Sequence, residues 1–501
     1  MHGLKKGVLI SIVCLMVLIP ISAMALQTTV GGHIESKVVI RDTDGLQYGF
    51  LSDYNEVVSF RHELKLDVLF QPEYKGLPAL RLDKINLIYK GAYDAVFDLS
   101  DRYNNMPVNV DHSEFEVGKD DLRFENDLKE VYADFIYDTE RSVTTLRLGR
   151  QLVIWGEHGA HNIANTVCPL DMKFAKLGAN PEEFSQPLWM ARFDHSMSGV
   201  GPFGQIGIQL LAIPEIRPVQ WALGSDPNGP NEWWKAPYAP FGALHDWPLN
   251  VNEMQEVVPS SGLENMQLGA KLGLDIGKLH MDAYYFIGYQ AAGAFDLSDV
   301  IAKIFSGVGS TLYIVHPKME NIAISGNYYS NYLRGVLDFE IGFNDNASFG
   351  HSRDSGLKGY SLHDVWQGAV SFSRPIRFLA RCVGTRDTFN TTWGVYHRYI
   401  SSYDDGTAAN VFQPASAYQN NTALSADFST YWDAGRIMGM ASFEYDTEGV
   451  WYTMISAKIV RGNWYLMLME MSVWGREDAY AAQKHVLFGL DEISLSIGYN
   501  F

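Results

Sequence analysis

The chain has 501 residues, a hydrophobic content of 47% and a formal net charge of -19. A charge of this sign excludes nucleic-acid binding, which requires a basic surface. The mean hydropathy of -0.10 is ordinary, and it fits a membrane barrel, because a polar lumen and polar loops dilute the lipid-facing side chains. The three cysteines are too few for a disulfide framework.

The first 25 residues predict a secretory signal peptide. Lys5 and Lys6 precede an apolar run that ends at Ile21, and Ala23-Met24-Ala25 supplies a small-residue cleavage site. This is the pattern of a charged region, a short apolar region and a cleavage site. We therefore expect residues 1–25 to be removed and residues 26–501 to form a single barrel domain. Removal would take Cys14 away, and the sequence leaves open whether Cys168 and Cys382 pair.

Segments with alternating apolar and polar residues follow one another through the rest of the chain. This period of two predicts β-strands with one apolar and one polar face. The candidate strands are His33–Arg41, Val57–Phe70, Leu82–Leu99, Asp127–Asp138, Ser142–Trp155, Leu188–Met197, Gln205–Ile213, Met266–Ile276, Leu279–Gln290, Asn321–Ser330, Gly335–Asn344, Asp364–Ser373, Phe389–Ile400, Thr422–Trp432, Arg436–Asp446, Trp451–Val460, Trp464–Trp474 and Asp491–Phe501. The predicted fold is an all-β, transmembrane antiparallel barrel of about 18 strands, with 16 as the alternative, since single-chain bacterial barrels have even numbers.

The strand Val57–Phe70 shows which face meets water. Its polar face carries Arg61, Glu63, Lys65 and Asp67. A charge facing lipid costs about 2–4 kcal/mol near the bilayer midplane. These four side chains are therefore predicted to line a water-accessible lumen.

The connections between the candidate strands alternate in length. Short ones, such as Gly277-Lys278, are typical of periplasmic turns, and long ones, such as Pro214–Leu263, are typical of outer loops. The connection Arg374–Asp387 is too long for a tight periplasmic turn, so we expect a small turn structure there. Within a long loop, Asp299–Phe305 predicts a short helix.

The last strand, Asp491–Phe501, has an apolar face and a face of small polar residues. Tyr499 and Phe501 lie on the apolar face. An aromatic residue that closes such a strand resembles the signal by which outer-membrane barrels are recognised for assembly. Together with the predicted export signal, this pattern predicts the Gram-negative outer membrane as the location.

The segment from Arg147 to Asp171 concentrates functional residue types. Strand alternation slips at Arg150, which falls on the face that Leu148 occupied, and a bulge or a departing strand would explain the slip. We predict that the loop Gly156–Pro187 folds into the lumen, either as a constriction or as a structural plug. The candidate constriction residues are Arg147, Arg150, Trp155, Glu157, His158, His161 and Asp171. A histidine there would make the passage pH-sensitive.

Chemistry at this segment is the weaker interpretation. Glu157, His158, His161, Cys168 and Asp171 lack the regular pairs of a zinc site. The chain has no G-x-S-x-G, which argues against a lipid hydrolase. We therefore predict no catalytic residue, no metal and no cofactor.

Two stretches resemble an uncharacterised family of proteobacterial outer-membrane barrels that is known only as a numbered domain of unknown function, number thirteen-oh-two. The first stretch is Leu148-Gly-Arg-Gln151 with Trp155-Gly-Glu157 and the turn from Asn165 to Asp171. The second is Phe372-Ser-Arg-Pro-Ile376 with Arg377-Phe378-Leu379. Cys168 and His158 depart from the pattern. The resemblance implies a barrel in an envelope pathway that moves hydrophobic or lipid-like compounds, with periplasmic and inner-membrane partners.

The predicted function is an outer-membrane channel or transporter for small hydrophobic or lipid-like compounds. The aromatic loop Pro214–Leu263, with Trp233-Trp234, favours apolar cargo. A general porin and a non-transporting surface barrel are the alternatives. The predicted partners are outer-membrane lipids, the barrel-assembly machinery and, from the resemblance, the transport partners named above.

Overall fold

Eighteen antiparallel strands form one closed barrel in the computed structural model. They are β1 (Ala25–Arg41), β2 (Glu56–Glu73), β3 (Leu80–Asp94), β4 (Phe124–Asp138), β5 (Ser142–Gln151), β6 (Leu188–Val200), β7 (Phe203–Ile213), β8 (Gln267–Ile276), β9 (Leu279–Tyr289), β10 (Lys318–Ser330), β11 (Gly335–Gly350), β12 (Tyr360–Pro375), β13 (Phe389–Ile400), β14 (Asn420–Trp432), β15 (Ile437–Asp446), β16 (Val450–Arg461), β17 (Trp464–Gly475) and β18 (Glu492–Asn500). The predicted fold class and strand number are confirmed.

The structure describes residues 25–41, 56–73, 80–100, 120, 123–156, 161, 163–171, 185–219, 251–296, 298–303, 310–350, 360–401, 403, 408–410, 413–416, 419–447, 449–475 and 491–501. The predicted signal segment lies outside these residues except for Ala25, the first residue of β1.

Pairing of the first strand with the last closes the barrel. Ile34 lies opposite Tyr499, and Ile40 lies opposite Ile493. Each remaining strand pairs with its neighbour in the chain, so the order around the barrel is the order of the sequence. Within the described part of the chain, closure pairs both edges of every barrel strand, which a barrel in lipid requires because no water is there to satisfy edge amides.

Two predicted strands end earlier than expected. Leu82–Leu99 was expected to be one strand, but β3 stops at Asp94 and a short helix, α1 (Val96–Leu99), follows. Asp94 Oδ1 accepts the Val96 backbone N–H at 3.2 Å, which favours the turn into the helix. Ser142–Trp155 was expected to continue to Trp155, but β5 stops at Gln151.

Apolar side chains cover the outside of the barrel. Along the closing strands, Leu495, Ile497 and Leu468 are about half exposed, whereas Ser494 and Ser496 face inward and are buried. Aromatic pairs lie near both ends of this wall, with Trp451 on Trp474 at the long-loop end and Trp464 on Tyr499 at the short-turn end. An apolar band between two aromatic belts is the surface of a barrel that spans a membrane.

The connections include small elements of their own. The predicted helix in the β9–β10 loop is α2 (Ser298–Lys303), and the unusual connection between β12 and β13 holds α3 (Arg377–Cys382). In the long loops, strand Ser310–Val315 pairs with Val251–Val257 and with Ala294–Asp296. Two short strands, Ala408–Asn410 and Gln413–Ser416, extend the main sheet. A 3-10 turn, Leu263–Asn265, precedes β8. No described helix has the length and apolar character needed to cross a membrane.

Candidate lumen constriction

A glycine resolves the slip in alternation that the sequence shows at Arg150. Gly149 has φ 140°, and a Cβ there would lie 2.7 Å from the Cα of Tyr132. This backbone is open only to glycine. Pairing of β5 with β4 and β6 continues through Gly149, and Arg147 and Arg150 both contact carboxylates of β4.

Arg147 and Arg150 each bind a carboxylate of β4. Arg147 donates two hydrogen bonds to Asp134, at 2.7 and 2.9 Å, and its guanidinium lies over the Tyr132 ring. Arg150 donates to Asp127 at 2.8 Å. Paired bonds from a planar guanidinium fix both groups in position, so the two arginines hold this part of the wall.

Charges of both signs line the lumen side of β2, β3 and β4. Lys90 lies between Glu63 at 3.1 Å and Glu125 at 3.6 Å, and Arg61 pairs with Glu125. Arg61 and Glu63, two of the predicted lumen residues, take part in these contacts. Lys65 lies on the same strand opposite Lys90, and Asp67 lies opposite Ile88.

After Gln151 the chain leaves the wall and enters the barrel. We call residues 152–171, of which 152–156, 161 and 163–171 are described, the inward segment. Trp155 is 2% exposed, and its indole N–H donates to Gln209 of β7 at 2.7 Å. Its ring packs against Tyr284 of β9, with 5.5 Å between the centroids. The start of the inward segment is thus fixed to the inner wall of β7 to β9.

An apolar cluster joins the inward segment to this wall. Val153, Val167 and Cys168 of the segment pack with Leu211 and Phe286, and the other members are Trp155, Ala164, Leu188, Met190, Ile213, Tyr284 and Ala323. Burial raises the pKa of the Cys168 thiol to about 12. A thiol with such a pKa is a poor nucleophile and a poor metal ligand. Cys168 therefore acts as a small apolar side chain, and both it and the exposed Cys382 are free.

The middle of the inward segment is anchored on β10 and β11. The Ala164 N–H donates to the buried Glu340 carboxylate at 2.7 Å, and Asn321 donates to the Ile163 carbonyl at 3.0 Å. Gly156 has φ 85°, and a Cβ there would collide with the Glu340 carboxylate. The glycine of the Trp155-Gly-Glu157 motif is therefore required by its conformation and by its neighbour.

His161 reaches the opposite side of the barrel. Its ring is stacked on Tyr396 of β13, with 4.0 Å between centroids and 7° between planes. Its Nε2 is 4.0 Å from a carboxylate oxygen of Glu444 on β15. In a closed barrel of eighteen strands, β14 lies opposite β5, so these contacts flank the far point of the wall. The inward segment therefore extends from one wall of the lumen to the other.

The structure brings together some of the predicted site residues. Trp155 and His161 lie on the inward segment, and Arg147 and Arg150 lie at its base. Asp171 lies beside the Leu170–Ser185 bridge, where the loop returns towards β6. Glu157 and His158 lie outside the described residues.

Sequence reasoning missed the wall residues that hold the segment. These are Gln209, Tyr284, Asn321, Glu340, Tyr396 and Glu444. In the sequence, each of them is only a polar or charged side chain on an alternating strand. Such a position indicates that the side chain faces the lumen, but it does not indicate what the side chain contacts. Among the described residues, no group of three or more His, Cys, Asp or Glu side chains could hold a metal ion.

Three solved barrels illustrate the similarity to known structures. OccAB3 of Acinetobacter baumannii is 8% identical over 95% of this chain and 99% of its own, with a TM-score of 0.47. OccAB1 of the same organism is 9% identical over 95% and 96%, with a TM-score of 0.48. OccK1 (OpdK) of Pseudomonas aeruginosa is 9% identical over 95% and 98%, with a TM-score of 0.46. A comparison with curated proteins finds no match.

The family comparison bears on the segment that contains β2 to β5 and the inward segment. Residues 44–199 match the family model described as "Protein of unknown function (DUF1302)". The first of the two stretches that carry the resemblance lies within this range, and the stretch at Phe372 lies beyond it. The predicted resemblance to this family is therefore confirmed over residues 44–199.

Proposed function

We propose that the protein is an outer-membrane channel whose lumen is narrowed by the inward segment. The observation that carries this proposal is the course of the segment, which leaves β5, packs on the wall of β7 to β11 and reaches Tyr396 and Glu444. A loop held at both walls by hydrogen bonds and packing narrows the space through which a solute passes. The apolar outer surface supports contact with outer-membrane lipids. The assembly machinery and the periplasmic and inner-membrane partners stay predictions.

The described lumen favours water-soluble cargo. Ion pairs such as Glu63–Lys90 and Arg147–Asp134 line the side that solutes would pass. An apolar solute gains nothing from such groups, whereas a polar one exchanges water for protein hydrogen bonds. We therefore favour small polar compounds over the hydrophobic or lipid-like cargo that the family resemblance implies. That earlier prediction stays untested, since residues 220–250 of the aromatic loop lie outside the described residues.

Deleting residues 158–184 tests the constriction. This deletion removes His161, Ile163 and Ala164, and with them the contacts to the far wall and to Glu340. We expect single-channel conductance of the purified barrel in planar bilayers to rise several-fold, because conductance follows the narrowest cross-section. An equally long deletion of residues 220–246, within the predicted outer loop Pro214–Leu263, serves as the control.

Three outcomes would count against the proposal. A well-assembled wild-type barrel that conducts nothing would indicate a surface protein. A deletion variant with unchanged conductance would show that the segment does not limit the pore. Uptake of apolar compounds in preference to polar ones by liposomes that contain the barrel would reverse the cargo assignment.

A further inference from the structure

The lumen wall has a hollow between the inward segment and the short-turn end. Gly207 of β7 lies directly opposite Gly273 of β8, and Gly273 lies opposite Asp282 of β9. Ser196 of β6 lies on the other side of Gly207. Because the two glycines carry no side chains, the wall recedes between Ser196 and Asp282. The resulting cavity has a volume of about 250 Å³, which is room for roughly eight water molecules.

Polar side chains form the rim of the hollow. The rim towards the inward segment consists of Asp194, Gln209 and Lys271, which are aligned by strand register. The rim towards the short turns includes Asp275 and His280, which face each other. Gln209 accepts the indole N–H of Trp155, so this rim is connected directly to the inward segment.

Asp282 is the residue that marks the hollow as a binding site. Its side chain is 5% exposed. One oxygen, Oδ2, receives Lys271 at 2.8 Å and the Tyr284 hydroxyl at 3.1 Å. The other, Oδ1, is buried and has no hydrogen-bond donor within the described part of the chain. It lies 2.8 Å from the position that a Cβ of Gly273 would occupy, at the edge of the hollow.

The free acceptor of Asp282 indicates the kind of ligand. Three carboxylates, of Asp194, Asp275 and Asp282, lie around the hollow. Lys271 pairs with Asp282, Arg192 pairs with Asp194, and His280 lies 2.5 Å from Asp275 and 3.2 Å from Asp282 Oδ2. These cations leave Asp282 Oδ1 without a donor among the described residues. A buried carboxylate oxygen without a donor is unfavourable, and a carboxylate forms stronger hydrogen bonds with charged N–H donors than with neutral ones, so an ammonium ligand fits best.

We propose that this hollow binds small primary ammonium compounds, with Asp282 Oδ1 accepting from the ammonium group. The inference that transported solutes bind here rests on the proposed channel function, whereas the binding of ammonium compounds does not depend on that function. The size of the hollow limits the ligand to a few carbon atoms beside the ammonium group.

The probe is ethanolamine, observed by saturation-transfer NMR with the full-length barrel in detergent micelles. Two compounds of the same size serve as controls: ethylene glycol, which is neutral, and glycolate, which is anionic. We expect ethanolamine to bind at least tenfold more tightly than ethylene glycol, and glycolate not to bind. Equal binding of ethanolamine and ethylene glycol, or no binding of ethanolamine, would overturn the proposal.

Two variants locate the site. Gly207→Leu fills the hollow, and a Cβ at this position meets no atom within 4 Å, so the fold tolerates it. Ala270→Leu adds the same bulk to the lipid-facing side, between the exposed Leu268 and Leu272. We expect the first variant to abolish ethanolamine binding and the second to leave it unchanged. Asp282→Asn is expected to remove the preference for the ammonium group, and heat-modifiable gel mobility checks its assembly.

The results separate this proposal from the channel function. Ethanolamine binding that survives both Gly207→Leu and Asp282→Asn would show that the hollow is not the site. A barrel that binds ethanolamine at the hollow and does not conduct would sustain the site and contradict the channel. A barrel that conducts and does not bind ethanolamine would support the channel function and contradict the binding site.

Discussion

At the scale of single residues, two glycines permit the unusual backbone conformations on either side of Gln151, after which the chain leaves the barrel wall. Gly149 and Gly156 both have positive φ, and each has an atom of another element where a Cβ would be. A non-glycine residue in such a conformation costs about 1–3 kcal/mol, and collision with backbone adds to it. The two glycines of the family motif are therefore explained by geometry.

Gly149→Ala is expected to destabilise the barrel. The new Cβ would strike the backbone of Val131 and Tyr132, which cannot move without breaking the β4–β5 pairing. We expect a loss of more than about 2 kcal/mol in the free energy of unfolding, since strain and collision add. The measurement is the urea midpoint of tryptophan fluorescence. Gly207→Ala, where the space is open, is the control, and a wild-type midpoint for Gly149→Ala would contradict the assignment.

His161 is expected to make conductance depend on pH. His161 Nε2 lies 4.0 Å from the Glu444 carboxylate, so a proton that either group takes up is shared between the two and strengthens their contact. Lowering the pH from 8 to 6 should therefore hold the inward segment more firmly and reduce conductance. His161→Phe keeps the ring stacked on Tyr396 and cannot be protonated, so its conductance should not respond through this residue. An equal pH response in both proteins would show that other groups cause it.

At the scale of elements, the inward segment is stabilised by the wall rather than by regular structure. Most of its described backbone belongs to no helix or strand, so its amides need partners from the strands. Glu340 and Asn321, both buried, supply such partners for Ala164 and Ile163. These two strand residues hold the middle of the inward segment in place.

Glu340→Ala tests that role. The Ala164 N–H would lose its acceptor in a buried place, at a cost of about 1–3 kcal/mol. We expect the current through single channels to become noisier and the mean conductance to rise. Glu340→Gln keeps an acceptor oxygen of the same reach and should behave nearly as the wild type. The same steady current in the alanine variant would indicate that the segment is held elsewhere.

At the scale of the whole molecule, closure depends on the contact between the two terminal strands. The Phe501 N–H donates to the Gly32 carbonyl, and the Gly32 N–H donates to the Phe501 carbonyl, both at 3.0 Å. A Cβ at Gly32 would lie 3.0 Å from the Phe501 ring. The last residue is thus part of the seam that closes the barrel.

Deleting Phe501 is expected to lower assembly sharply and to leave export unaffected. It removes both hydrogen bonds, worth about 1 kcal/mol each, and the predicted recognition signal. Fractionation and heat-modifiable mobility measure the assembled fraction. Phe501→Tyr, which keeps the backbone and an aromatic ring, is the control. Normal barrel levels after the deletion would contradict the role of this residue.

The sequence by itself determined the architecture. Charges on the inner face of Val57–Phe70 and the alternation that ends at Phe501 predicted all eighteen strands, because a lipid-facing side and a water-facing side impose a period of two on every strand. It also located the slip at Arg150 and the segment after it. Strand ends were predicted less accurately, as at Asp94 and Gln151, because a turn can begin without interrupting the alternation of apolar and polar residues.

Only the tertiary structure decided which wall residues meet the inward segment. Ala164 and Glu340 are 176 positions apart in the chain, and Gly207 meets Gly273 only because β7 pairs with β8 in one register. Alternation tells which way a side chain faces and does not tell what lies across the lumen. That depends on barrel closure and strand register, which bring distant polar residues to the same place.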